Sequence, residues 1–434
     1  MDAVVQDTGT GSAPAGPLGR PPDPEAELSE AEAAEYIRGI CFKTGPPRRV
    51  GVELEWHVRD RVDPARAVPA ERIDAALAPL LASGGLPCGS LLTREPGGQV
   101  ELSSPPGESL ADCVRLATTD LAVLRETLAS AGAALHGHGL NPFRPPPRVL
   151  DHPRYRAMEA HFDRHGPWGR VMMRSTAAVQ VSLDAGDDSD GPTGYRARWR
   201  LVHQLGPVLV AAFANSPLWR GRPTGWASTR QRVWARADPH RTRPPHATAP
   251  PRAEWARYAL DAPLLCLRRP PDGADADWTA PASLTLRAWL RGGHRERPPT
   301  RADIDYHLST LFPPVRPRGW LELRMIDAQS GDGWLAALAV AATLLDDPRA
   351  AAAAHAATES LTPLAHGPGL WLRAARYGPA DPLLGPAVRA CVAAAESALA
   401  ATDPDGPAHR AVAEFAERYA DRGHCPADVH RGAL

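Results

Sequence analysis

Two glutamates stand two residues apart in the run Val50-Gly51-Val52-Glu53-Leu54-Glu55-Trp56-His57-Val58. Side chains along an extended strand alternate between its faces. Val50, Val52, Leu54, Trp56 and Val58 therefore point one way, and Glu53, Glu55 and His57 the other. One face is built to pack, while the other carries adjacent carboxylates. Like charges on a partly buried face repel, and each loses solvation. Something cationic is therefore expected to sit between them.

Three further stretches repeat the alternation. Gln99-Val100-Glu101-Leu102-Ser103 sets Gln99, Glu101 and Ser103 on its polar side. Residues 170–184 read as one long strand with Arg174, Thr176, Gln180, Ser182 and Asp184 on one face. In Trp320-Leu321-Glu322-Leu323-Arg324-Met325, Glu322 and Arg324 oppose the apolar residues. Any one such strand is ordinary for an antiparallel sheet with a wetted face. Together, however, the polar positions are rich in carboxylates. Glu95, Glu101 and Glu322 also sit beside Pro-Gly-Gly, Ser-Pro-Pro and an arginine, contexts that hold a side chain in place. If these faces line one concavity, a hard divalent cation with oxygen ligands is the economical neutraliser. Magnesium held by carboxylates, with arginines nearby, suggests phosphoryl chemistry on ATP.

Composition narrows the chemistry. Lys43 is the only lysine among 49 basic residues, and no G-x-x-x-x-G-K-[ST] loop occurs. A P-loop nucleotide site is thereby excluded, and phosphate would be held by arginine forks and metal. Six cysteines (Cys41, Cys88, Cys113, Cys266, Cys391 and Cys425) are scattered without a C-x-x-C pair, which fits a reducing cytoplasm. None has a local activating motif, so no cysteine nucleophile is expected. The formal net charge of −1 offers no global attraction to nucleic acid or anionic membranes. No run approaches the roughly 18 apolar residues of a membrane span, and the first residues lack the pattern of a secretion signal. His136, His138 and His307 lack zinc-ligand spacing; their roles stay open between loop structure and ligation.

The elements that would position these residues can be read from the same chain of 434 residues. Residues 1–27 read as a disordered Pro/Gly/Ala-rich arm, and 28–434 as one catalytic domain. Ser29-Glu30-Ala31-Glu32 resembles a capping box and opens a helix through about Ile40. The first strand is expected at 50–59 and a helix near 69–83. A hairpin at 90–104 turns on Glu95-Pro96-Gly97-Gly98. Helices follow at 108–132 and 195–215, with a loop from His136 to Pro147 between them. Residues 216–254 read as loop, Pro-rich at 239–251, and a last strand covers 319–327. The C-terminal part, 333–421, reads as alanine-rich helix. Strands and helices lack regular β-α-β spacing, so the fold class is α+β with an antiparallel sheet.

Five segments together resemble one family. They are Gly51-Val52-Glu53-Leu54-Glu55-Trp56, Glu95 through Ser103, Met172 through Val181, Ala214-Asn215-Ser216-Pro217 and Trp320 through Arg324. In that order they are similar to the motifs of glutamate–cysteine ligases, in particular the actinobacterial branch of the ergothioneine pathway. The resemblance spans about residues 36–346. It implies a glutamine-synthetase-like core, with a curled antiparallel funnel flanked by helices. It also implies ligation of the glutamate γ-carboxyl to the cysteine amine through a γ-glutamyl phosphate, with ATP as co-substrate and Mg2+ as cofactor.

By matching position, Glu53, Glu55, Glu95, Glu101 and Glu322 resemble metal-binding glutamates. Arg324 and Glu322 resemble catalytic groups. Arg174, Thr176, Gln180 and Arg324 fall at positions expected near ATP or glutamate. Asn215, Ser216, Arg220 and Arg230 belong to an Arg/Trp/Gly segment suited to a substrate loop, where arginine clamps a carboxylate bidentately. The partners implied are small molecules: glutamate, cysteine and ATP. Two other readings remain: a carboxylate–amine ligase with a different amine acceptor, and a non-catalytic nucleotide- or metal-binding relative.

Overall fold

The run around Glu53 forms strand β1, Val50–Asp60. Val50, Val52, Leu54, Trp56 and Val58 all enter the main apolar core, each contributing roughly 1.5–3 kcal/mol by leaving water. The computed structural model describes residues 23–143, 145–246, 250–268, 276–294, 296–365 and 367–432.

Among the described residues, eight more strands follow in chain order: β2 (Leu91–Arg94), β3 (Val100–Ser103), β4 (Ala133–His136), β5 (Ala178–Asp184), β6 (Leu218–Trp219), β7 (Arg222–Pro223), β8 (Val315–Pro317) and β9 (Trp320–Asp327). One sheet has the order β2-β3-β1-β5-β9-β8, with β4 paired to the far half of β1. Every ladder in it is antiparallel, as the irregular spacing of helices and strands implies. The path is open, with β2 and β8 at its edges. Helices Leu110–Ser130, Tyr195–Ala212 and Trp334–Asp346 pack on the sheet strands. A second apolar cluster joins helices Pro153–Asp163, Trp168–Ser175 and Thr229–Ala237 through Phe162, Met172, Met173 and Val233.

The expected helix near Ser29 begins with a complete capping box: the Ser29 hydroxyl accepts from the Glu32 amide, and the Glu32 carboxylate accepts from the Ser29 amide. The hairpin turn also forms as read. The Gly98 amide donates to the Glu95 carbonyl at 2.8 Å, and Gly98 has φ +85°, a region open to glycine. Gly97 lies against the Arg174 backbone, where an added Cβ would come within 1.9 Å of the Arg174 carbonyl oxygen. The later helices Trp334–Asp346, Pro348–Thr358, Leu384–Thr402 and Pro407–Arg418 fall within residues 333–421. By length and composition alone Leu384–Thr402 could cross a membrane. Here it sets Leu384, Val388, Cys391, Val392, Ala395 and Leu399 into the core.

Several expectations require correction. Residues 170–184 are not one strand: Trp168–Ser175 is helical, and the strand starts at Ala178. The buried set Gly169, Met172 and Met173 follows i, i+3, i+4 spacing, which so short an apolar run does not separate from alternation. Residues 133–136, outside any expected element, pair with β1 as β4. The 216–254 stretch holds a short hairpin, the helix Thr229–Ala237 and the start of another helix. Within the supposed Pro-rich loop, Pro239 and Pro251 are first residues of helices, where proline's fixed φ is already suited. Residues 247–249 lie outside the described residues, as does the arm through residue 22. The end of that arm is held: Ala302 and Arg301 amides donate to the Pro24 and Ala26 carbonyls.

Candidate active site

Strand register decides which polar residues meet. Glu55 lies opposite Glu101, which lies opposite Thr93. Glu53 lies between Ser103 on one side and Gln180 on the other, and Ser182 is paired with Glu322. Four strands thus bring Glu53, Glu55, Glu101, Gln180 and Glu322 to one face. Between Val179 and Val181 the register with β9 shifts, so that Gln180 faces two residues of β9. Such a bulge re-aims side chains, and here the Arg324 guanidinium donates to the Gln180 amide oxygen. Gln180 in turn donates to Glu55 Oε1 at 2.7 Å, linking a carboxylate of β1 to an arginine of β9.

The electrostatics of this face are unresolved within the chain itself. Burial, then the charges of Glu322 and Glu101, push the Glu53 carboxyl up to about 8. Burial and Glu55 push Glu101 up to about 7, against hydrogen bonds from Thr93 (2.9 Å) and Ser103 (3.2 Å). Glu95 is raised well above the usual range by burial, Glu101 and Glu55. Glu55 is raised by burial, although Arg230, Arg324 and the Ala178 amide at 2.9 Å work against it. These groups therefore resist ionising together. A bound cation would relieve them, and their donors are all carboxylate oxygens, the ligand type hard divalent ions take. Among the described residues no three His, Cys, Asp or Glu side chains converge closely enough to hold a metal alone.

Glu322 differs from its neighbours. It is fully buried, with Arg316 Nε at 2.5 Å from Oε2 and Nη2 at 3.0 Å from Oε1. Arg324 lies 3.2 Å and Arg318 4.0 Å from Oε1. Burial works against its charge, yet these arginines hold its carboxyl down at about 2. In this arrangement Glu322 is the counter-ion that fixes an arginine trio; it would enter a metal's ligand set only by exchanging an arginine for the ion.

The remaining predicted residues divide. Arg230 is buried, its Nη2 donates to the Arg324 carbonyl at 2.8 Å, and it lies 5.3 Å from the Trp234 ring centroid. Arg174 does not face the carboxylates as a strand residue would: it is on a helix, paired with Glu159 (Nε to Oε1, 3.0 Å). Thr176 spends its hydroxyl on the Met172 carbonyl at 2.6 Å, and its own carbonyl accepts from Gln99. Neither shares the strand's polar face, because Trp168–Ser175 is a helix with Thr176 as its C-cap. Asn215 and Ser216 are buried and bind the Asp327 carboxylate. Arg220 stands exposed at the tip of the β6-β7 hairpin with φ +52°.

His307 holds the Ala259 carbonyl at 2.8 Å. His138 packs edge-on to His430 at 4.7 Å and 6.4 Å from His136, a packing arrangement without a metal cluster. All six cysteines are free thiols, and burial pushes Cys41 and Cys391 up to about 12 and Cys113 and Cys266 up to about 11, so these four are poor nucleophiles.

Some site residues escaped the sequence reading. Thr93 and Asp327 lie within the expected hairpin and last strand, and Arg316 on β8, which was not expected; the partners of all three are set by register and by long-range contact. Arg154 and Tyr155, on helix Pro153–Asp163, approach Glu95: Arg154 offsets its charge, and burial and Glu95 keep the Tyr155 phenol protonated. The helix bearing Arg230 did carry a signal. Ser228 is followed three residues later by Gln231, and the Ser228 hydroxyl accepts from the Gln231 amide.

The profile of glutamate–cysteine ligase family 2 matches residues 49–432. The chain therefore belongs to that family and is an enzyme of the ligase class. It is 42% identical over 416 residues to the Mycobacterium tuberculosis protein named glutamate–cysteine ligase EgtA, covering 94% of this chain and 91% of that one. The Mycolicibacterium smegmatis protein of the same name is 43% identical over 371 residues, 84% of each chain. A solved structure of glutamate–cysteine ligase (gshA) from Francisella tularensis, in complex with AMP, shares the fold. Its TM-score is 0.50 at 11% identity, over 90% of this chain and 85% of that one.

Proposed function

We propose that the protein joins the γ-carboxyl of L-glutamate to the amine of L-cysteine, consuming ATP and passing through γ-glutamyl phosphate. The observation that carries this reading is the face on which Glu53, Glu55, Glu95 and Glu101 oppose one another beside Arg324 and Arg230. A carboxylate is a poor acyl donor until one oxygen becomes part of a phosphate leaving group, and that phosphoryl transfer needs concentrated positive charge. Magnesium, which Glu53, Glu55, Glu95 and Glu101 would hold together with the nucleotide rather than by themselves, would supply charge to the nucleotide's phosphates. Arg324, braced by Gln180 and Glu322, stabilises charge on the phosphoryl in transfer. Arg230 takes the α-carboxylate of glutamate, for which it has unused donor atoms. Gln180 keeps Glu55 and Arg324 in register.

The curl of the open sheet into a glutamine-synthetase-like funnel belongs to the same reading, as does delivery of γ-glutamylcysteine to ergothioneine synthesis. So does a cytoplasmic setting, in keeping with six free thiols. The test is phosphate release from ATP with Mg2+ and glutamate, adding amino acids one at a time. Phosphate release coupled to γ-glutamylcysteine formation, and dependent on cysteine, is expected. Equal turnover without an amine, or with every amine, would remove the cysteine assignment.

A further inference from the structure

Asp327, the last residue of β9, is 2% exposed and gathers groups from distant parts of the chain. Its Oδ2 accepts from the Asn215 amide at 2.9 Å and the Ser216 hydroxyl at 2.7 Å. Its Oδ1 accepts from the Ser228 hydroxyl at 2.9 Å, and Arg230 Nη1 lies 3.8 Å from the same oxygen. The backbone at Gly139 presses on this carboxyl so closely that a Cβ there would fall 2.5 Å from Oδ2. The loop after β4, the segment after helix Tyr195–Ala212 and the start of helix Thr229–Ala237 thus meet on one carboxylate.

Arg230 is the residue this junction positions. Its backbone amide donates to the Ser216 hydroxyl at 3.1 Å, the same hydroxyl that donates to Asp327. Its Nη2 is spent on the Arg324 carbonyl. Its Nε and Nη1 are buried without a hydrogen-bond partner in the protein, and its charge acts on Glu55. Buried donors left unpaired are costly, so a guanidinium held this way is set for an incoming acceptor. Asp327 at 3.8 Å attracts Nη1 without engaging it in a hydrogen bond.

We propose that Asp327 is a positioning residue. It pins Ser216, Ser228 and the first turn of the helix so that Arg230 keeps its free donors toward the anionic group of the amino-acid substrate. Asp327 itself does not touch substrate. The inference rests on the reading of Arg230 as the residue that takes the glutamate α-carboxylate.

The experiment is steady-state kinetics on the full chain, with glutamate, ATP and cysteine varied in turn, for wild type, Asp327→Asn, Ser228→Ala, Arg230→Lys and the Asp327→Asn/Arg230→Lys double variant, with Ser228→Ala also placed in the Arg230→Lys background. Asp327→Asn is expected to raise the glutamate KM by about 10-fold, the scale of one weakened charge-assisted contact. The KM values for ATP and cysteine should stay within about 2-fold, since their contacts are not routed through this contact. The double variant should be no worse for glutamate than Arg230→Lys alone. Ser228→Ala should show a smaller rise of the same kind, abolished in the Arg230→Lys background, and it decides the matter if Asp327→Asn does not fold. A uniform rise of all three KM values, an unchanged glutamate KM, or effects that multiply in the double variant would overturn the positioning role. If Arg230→Lys itself leaves the glutamate KM unchanged, the reading of Arg230 has failed and the inference falls with it.

Discussion

The polar face of the sheet and the C-terminal helices are stabilised in opposite ways. On the sheet, Glu53, Glu55, Glu95 and Glu101 are held against one another's charge. In the helices Trp334–Asp346 and Leu384–Thr402, small and aliphatic side chains such as Ala337, Leu338, Ala341, Val388 and Ala395 fill the core almost without exposure. The first region holds a conflict between buried charges, and the second holds none. Substitutions should therefore separate cleanly: on the carboxylate face activity is lost while the free protein gains or keeps stability, and in the helical region stability is lost while kinetics persist.

The largest effect is expected for Glu53→Gln. Removing one of the opposed charges should lower kcat by at least about 100-fold, the scale of several kcal/mol of lost transition-state charge stabilisation. The same variant should melt at an equal or higher temperature than wild type at pH 8 without Mg2+, as followed by circular dichroism. A wild-type kcat at saturating Mg2+ would break the comparison.

Packing supplies the opposite case. Gly206 lies in helix Tyr195–Ala212 where a Cβ would come within 2.0 Å of Trp371 Cη2. Gly206→Ala gains roughly 1 kcal/mol of helix propensity but forces the rigid indole aside, and overpacking costs about 1–3 kcal/mol. A net loss of up to about 2 kcal/mol in urea unfolding is expected from these two terms, with kcat and KM unchanged.

The smallest effect is on pH dependence. The folded carboxyls of Glu53 and Glu101 titrate near 8 and 7 rather than the ordinary 4.5. The native state thus retains protons the unfolded chain gives up. Their contribution is fully present below about pH 4.5 and is lost as pH rises toward 7 and 8. A bound divalent cation reverses this by favouring the ionised forms. The shift in melting temperature on adding Mg2+ should therefore be larger at pH 8.5 than at pH 6, by about 1 °C for each kcal/mol of linkage in a chain of this length. An equal shift at both values would argue against these carboxylates as the ligands.

How much of this was legible in the chain follows from the range of each interaction. The face of β1 was legible because alternation is local: Val50 through Val58 must split between two sides of any strand. The hairpin at Glu95–Gly98 and the capping box at Ser29 were legible for the same reason. The helix Trp168–Ser175 was not, since Met172 and Met173 fit a short strand as well as a helix. Strand register is tertiary, so the facing of Glu55 and Glu101 and the bulge that presents Arg324 to Gln180 follow only from the folded sheet. Asp327 is the extreme case, because its partners Asn215, Ser216 and Ser228 lie 112, 111 and 99 residues away. Arg316 carried no local sign that it would occupy Glu322.

The central claim is that the charged face activates the γ-carboxyl of glutamate by phosphorylation. The most direct measurement uses glutamate labelled with 18O in both γ-carboxyl oxygens, incubated with ATP, Mg2+ and cysteine, with the released phosphate analysed by mass spectrometry. The account predicts one 18O atom transferred to phosphate for each γ-glutamylcysteine formed, because the oxygen that accepts the phosphoryl group leaves with it. Unlabelled phosphate accompanying γ-glutamylcysteine would contradict it.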